Sequence, residues 1–163
     1  DRGGDWSSDV CSSDLAEDWS IPDAPLTPLG FSQSRALHLA TKDTFQRSAD
    51  LLVSSPLRRP LQTLLHGFPD LHARVGTLVM PELQEVKAHP CDTGSEREVL
   101  EAIEEFGGID FSGLEQGWNG KEGIYKPEKV LERARVVRRW LREREEKEIV
   151  GAFSLERVSE GRG

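Results

Sequence analysis

Nowhere does the chain hold an apolar run near the roughly twenty residues that a membrane-spanning helix needs. With 36% hydrophobic residues, it reads as a soluble domain with no membrane partner. Cysteine is scarce: Cys11 and Cys91 stand far apart without partner spacing. That excludes a disulfide framework or a zinc knuckle and fits a reducing, cytoplasmic setting. No cluster of His, Cys, Asp or Glu shows metal-ligand spacing. A basic surplus is missing as well. Of the net charge of −8, residues 1–25 carry −6, which leaves −2 for the remainder. A broad cationic face for nucleic acid is thereby excluded, while a compact cationic pocket for a small phosphate is not.

The leading segment has no charged n-region followed by an apolar stretch, so no secretory signal peptide is read there. It carries the near-repeat Ser7-Ser8-Asp9-Val10 and Ser12-Ser13-Asp14-Leu15. The run from Asp5 to Leu15 resembles translated sequencing-adapter read-through; a disordered acidic, serine-rich tail has the same composition. Residues 1–23 are therefore set aside, 24–150 are taken as one partial α/β domain, and 151–163 as a tail of different character.

Within the domain, Thr27 and Pro28 form a cap and a first helical residue, opening a helix through Phe31, Leu37 and Ala40 that ends near Lys42. Leu51 to Ser54 predict a strand, and Leu78 to Met80 a second, short and buried. Between them a helix is expected from Pro56 toward His66, stopped by Gly67 and strained by Pro60. Ser95 to Glu98 read as a capping box for a helix carrying Val99, Leu100, Ile103 and Phe106. Residues 109–126 form a long connection of the kind that covers a site, with Trp118 and Tyr125 lining an entrance or, as the first choice, simply packing. Pro127 opens the longest helix, whose apolar stripe is Val130, Leu131, Ala134, Val137 and Leu141. Ile149 and Val150 begin a strand that the residues after them do not sustain. This order predicts an α/β domain with a mostly parallel sheet and a ligand at the carboxyl ends of its strands.

The segment from Ala49 to Thr63 is the most informative. An apolar strand meets Ser55 as a cap and Pro56 at a first helical position, with Arg58 and Arg59 in the first turn. Unpaired amides and two guanidiniums there favour an anion such as phosphate. An ordinary strand-to-helix junction with solvated arginines has the same local sequence, and both readings stand at this point.

Four blocks in order resemble the histidine phosphatase superfamily, the phosphoglycerate mutase-like proteins, in particular its fungal members. They are Leu26-Thr27-Pro28-Leu29-Gly30 with Gln33; Ser54-Ser55-Pro56-Leu57-Arg58-Arg59 with Gln62-Thr63; Pro81-Glu82-Leu83-Gln84-Glu85; and the arginine-rich stretch from Arg133 to Arg139. The resemblance implies a three-layer α/β/α fold with a mostly parallel sheet. It further implies phosphomonoester hydrolysis through a phosphohistidine, with no metal or organic cofactor and with a small phosphorylated substrate or inorganic phosphate as partner. It makes Arg59 a pocket arginine and Glu85 the proton donor, held protonated by burial and an anionic neighbour, with Glu82 a decoy. Ser55, Arg58 and His89 become substrate-binding candidates, although Arg58 lies about 100° around a helix from Arg59 and faces more to the surface.

The family's nucleophile stands in an arginine-histidine-glycine triplet, and no such triplet occurs in the 163 residues. His38, His66 and His72 are expected to sit in helices or loops without catalytic partners, and no histidine follows Val150. The first and last core strands are therefore expected to be missing or altered, a retained intron or frame shift near Gly151 being one cause. Loss of the nucleophile predicts an inactive chain. The alternative is a non-catalytic phosphate-binding or interaction module built on the same fold.

Overall fold

The computed structural model describes residues 20–153, so the serine-rich run, Cys11 and most of the predicted tail lie outside the described residues. Helix α1 spans Pro28–Thr41 and α2 Phe45–Ser48; strand β1, Leu51–Ser54, leads into α3, Arg58–Gly67. After α4, Pro69–Val75, come β2, Leu78–Val79, then α5, Arg97–Glu101, α6, Val130–Arg142, and β3, Ile149–Ala152. The three strands form one parallel sheet in the order β2-β1-β3.

Alternation along the strands sorts their side chains to two faces. Leu52, Val150 and Ala152 join Leu64, Phe68 and Leu71 of the α3–α4 side, against which α1 is stacked through α3. Leu51, Val53 and Ile149 point the other way and meet Val137 and Trp140 of α6 together with Met80 and Leu83. The result is helix, sheet, helix, the expected α/β/α layering. A third cluster, from Leu57 and Leu61 of α3 to Leu100, Phe106, Phe111 and Trp118, fills the space beneath the long connection. Trp118 packs there, and Gly94 permits it: a Cβ on Gly94 would stand 2.2 Å from the indole ring.

Several expectations need correction. Thr27 caps α1 as predicted, its hydroxyl accepting from the Gly30 N–H at 3.1 Å. Ser55 does not cap α3, which starts two residues beyond Pro56 with Leu57 at its N-cap. Pro60 consequently falls in the first turn, where its missing N–H would have had no helical partner, and it imposes no strain. Helix α5 is five residues long, shorter than the capping box suggested, because Ser95 donates to Asp23 instead of serving the helix. Leu78 is 41% exposed, not buried, and only Met80 of that run is inside. In α6 the predicted stripe faces inward only in part: Val130, Ala134 and Val137 are half-buried, Leu131 and Leu141 are exposed, and the one fully buried residue of the helix is Arg133. At 13 residues α6 is also slightly shorter than α1 at 14. Finally, β3 does form, Gly151 and Ala152 pairing with Val53 and Ser54. Parallel pairing runs through the backbone and does not require β-branched side chains. Asp23, just before the expected start of the domain, is itself fully buried.

Candidate active site

The carboxyl ends of the strands meet at Ser54 and Ser55. The Ser55 N–H donates to the Ala152 carbonyl at 3.0 Å, and the Met80 N–H to the Ser54 carbonyl at 2.9 Å. Ser55 is buried, its hydroxyl no closer than 3.5 Å to the Leu57 N–H. The stronger acceptor at this helix start is Asp23, whose carboxylate takes the Arg58 N–H at 2.9 Å and both the N–H and the hydroxyl of Ser95, at 2.9 and 2.7 Å. Its own N–H donates to the Pro90 carbonyl at 3.1 Å, so Asp23 ties the approach to α1, the start of α3 and the loop before α5 together. Burial pushes the Asp23 carboxyl up, against the opposing pull of these hydrogen bonds and of Arg58.

Arg59, one residue into α3, is 6% exposed. Its Nη1 donates to the Cys91 carbonyl at 3.0 Å, and its Nη2 lies 3.4 Å from Asp92 Oδ1. Its buried Nε has no hydrogen-bond partner. Arg58 is half-buried, its main chain engaged by Asp23 and its own Nε buried without a partner.

Glu85 is buried at 7% exposure, and two cations hold the Gln84–Glu85 segment. Arg133 of α6 donates to the Gln84 carbonyl at 2.9 Å. Lys121 reaches three acceptors: Gln84 Oε1 at 2.9 Å, the Glu85 carbonyl at 2.8 Å and the Asp92 carbonyl at 3.0 Å. The Gln84 amide nitrogen completes the clamp by donating to the Trp118 carbonyl at 2.9 Å. Lys121 thus links the Glu85 peptide to Asp92, the residue that faces Arg59, and both candidate catalytic residues sit against one node. Burial, with Arg133 as a like charge beside it, lowers the Lys121 ammonium to about 8. Burial likewise lowers Arg133, and both cations are offset by Glu85. Lys121 and Arg133 are thus two cations on which the Glu85 charge acts.

His89 is exposed, and its carbonyl accepts from the Asp92 N–H at 2.9 Å. His66 contacts Glu105 at 2.9 Å and packs edge-on against Phe31. Two others do have partners that the sequence did not suggest: His72 Nδ1 lies 2.7 Å from the Thr77 hydroxyl, and His38 is 3.8 Å from Asp70. A groove of 350 Å³ lined by Lys42, Asp43, Arg47, Asp70 and Arg74, among others, opens near α2 and α4, away from Arg59.

Asp23, Asp92 and Lys121 escaped the sequence reading because their roles depend on contacts far along the chain. Arg133 did leave a signal, since it shares a helical phase with Val137 and Trp140 and so falls where an apolar residue belongs.

A family model described as "Histidine phosphatase superfamily (branch 1)" matches residues 19–154. The chain belongs to that superfamily. The matched span contains β1, Ser55, Arg59 and Glu85 and begins before Asp23. Among solved structures the chain is similar to the alpha-ribazole phosphatase from Shigella flexneri, at 18% identity and a TM-score of 0.48. That alignment covers 82% of this chain and 64% of the other, so the chain spans less than two thirds of that phosphatase. No curated protein matches the chain. No helix among the described residues is long and apolar enough to cross a membrane.

Proposed function

We propose that this histidine phosphatase domain binds the phosphoryl group of a small phosphomonoester at the carboxyl end of β1, with Arg59 as its anion ligand and Glu85 as the acid facing the leaving oxygen. The observation that carries this reading is the under-used Arg59 guanidinium, buried beside the Ser54–Ser55 strand end with its Nε unpartnered. A guanidinium fork matches two phosphoryl oxygens better than a point charge does. Ser55 and Arg58 border the same strand-to-helix turn and are supporting ligands, as is the exposed His89.

Glu85, braced through Gln84 and its own carbonyl, is held where a leaving oxygen would need a proton. Lys121 and Arg133, on which its charge acts, stand on the same side of the site. The phosphohistidine route also needs a neutral imidazole in line with the ester bond. The arginine-histidine-glycine triplet that supplies it in this superfamily is not among these 163 residues. The chain as it stands therefore binds phosphate without turning substrate over. It acts in the cytoplasm as a non-catalytic relative of a phosphomonoesterase, or as the core of a longer active form.

Calorimetric titration with inorganic phosphate and with orthovanadate tests the binding. Saturable binding that is lost in Arg59→Ala is expected, and binding indifferent to that change would refute the reading. Incubation with para-nitrophenyl phosphate at mildly acidic pH tests the absence of turnover. Hydrolysis well above buffer that disappears in Arg59→Ala would show an active enzyme with another nucleophile.

A further inference from the structure

We propose that Asp92 is a built-in competitor for Arg59, an internal carboxylate that occupies the phosphate-binding guanidinium and sets how tightly the site holds an anion. The inference rests on Arg59 being the phosphate ligand.

Three observations support it. The first is the looseness of the contact. A committed arginine–carboxylate pair is bidentate, with N···O distances near 2.7–2.9 Å. Here a single Nη2 lies 3.4 Å from Asp92 Oδ1, and Nε makes no bond although both side chains are largely enclosed. The guanidinium is anchored mainly through Nη1 and the Cys91 carbonyl, at 3.0 Å. That anchor leaves the remaining N–H groups for a tetrahedral oxyanion with more than one oxygen to offer.

The second is that Asp92 has another partner. The Lys121 ammonium, 3.0 Å from the Asp92 carbonyl, also acts on its charge. If phosphate takes Arg59, Asp92 keeps that cation. Breaking a buried pair is costly chiefly when one charge is left bare, and that penalty does not arise here.

The third is that the main chain at Asp92 is fixed independently of its carboxylate. The short turn Pro90–Asp92 is closed by the Asp92 N–H on the His89 carbonyl at 2.9 Å and by the Thr93 N–H on the Pro90 carbonyl at 3.1 Å. Lys121 holds the Asp92 carbonyl at 3.0 Å. A side-chain rotation is therefore enough to release Arg59, and the loop need not move. A structural strut would show the opposite pattern, with a close bidentate contact on which the turn depends.

The test is calorimetric titration of inorganic phosphate into the unaltered chain, Asp92→Asn, Asp92→Ser, Arg59→Ala and the Asp92→Asn/Arg59→Ala double variant, with circular dichroism confirming folding. Competition predicts phosphate binding about tenfold tighter in both Asp92 variants, or binding that first becomes measurable there, and none in either chain lacking Arg59. Phosphate binding that needs Arg59 but is equal or weaker in the Asp92 variants overturns the competition and leaves the phosphate reading intact. Binding that ignores Arg59, or no binding in any chain, overturns both. Failure of both Asp92 variants to fold would make Asp92 a strut and likewise overturn the inference.

Discussion

The two faces of the sheet are built differently. On the α3–α4 side, Leu52, Leu64 and Leu71 are fully buried in an apolar layer with Phe68, and the buried Arg59 of α3 is not part of that cluster. On the α6 side the apolar layer is thin. Val137 and Trp140 are only partly covered, Leu131 is 72% exposed, and the buried residue of the helix is Arg133. A buried guanidinium adds little net stability compared with an apolar residue of similar volume. What Arg133 contributes is a fixed Gln84–Glu85 peptide, so one face carries the fold's stability and the other gives up packing to hold the site loop in place.

Substitutions can break that contrast. The largest effect is expected at Leu64→Ala, which opens a cavity in the closed face and should lower stability by about 2–5 kcal/mol in denaturant unfolding. Arg133→Met should cost less, about 1–3 kcal/mol, because it leaves the buried Gln84 carbonyl without its donor. It should also weaken phosphate binding, whereas Leu64→Ala should leave binding unchanged wherever the protein is folded. If Arg133→Met is stabilising and leaves binding alone, the clamp has no purpose in the site.

The pH dependence of stability sharpens the comparison further. Lys121 titrates near 8 in the folded protein and near 10.5 when exposed. Between those values the unfolded chain holds more protons, so the Lys121 contribution to stability grows as pH rises from about 8 to about 10.5. The gain is smaller than the full shift implies because the ammonium is partly solvated. Tyr125 acts in the opposite sense above pH 10, since burial pushes its hydroxyl up to about 12. Subtracting the stability profile of Lys121→Met from that of the unaltered chain isolates the rise, and a flat difference would contradict it. The smallest effect belongs to Leu131→Ala on the exposed side of α6, expected within about 0.5 kcal/mol in the same denaturant assay.

Local chemistry was legible where it acts locally. Thr27 capping α1 three residues on, the apolar run of β1, and Pro28 at a first helical position all follow from neighbours in sequence. Arg58 and Arg59 stood out from the strand-to-helix junction itself, whereas Glu85 was singled out only through the resemblance to a family, since a loop glutamate alone says nothing. What escaped was decided by long-range hydrogen bonds. Ser95 offered a capping box, but a carboxylate 72 positions earlier claimed it and α5 was shortened. The same aspartate displaced Ser55 from the start of α3. In α6, Arg133 lies outside the apolar stripe read from the sequence, yet it is buried and donates to the Gln84 carbonyl.

The most direct measurement of the central claim is a crystal structure of the chain soaked with orthovanadate. The account predicts vanadate at the carboxyl end of β1, with its oxygens on the Arg59 guanidinium and Glu85 within reach of the same ion. Vanadate bound instead in the Lys42–Arg47–Arg74 groove, with Arg59 still turned to Asp92, would contradict it.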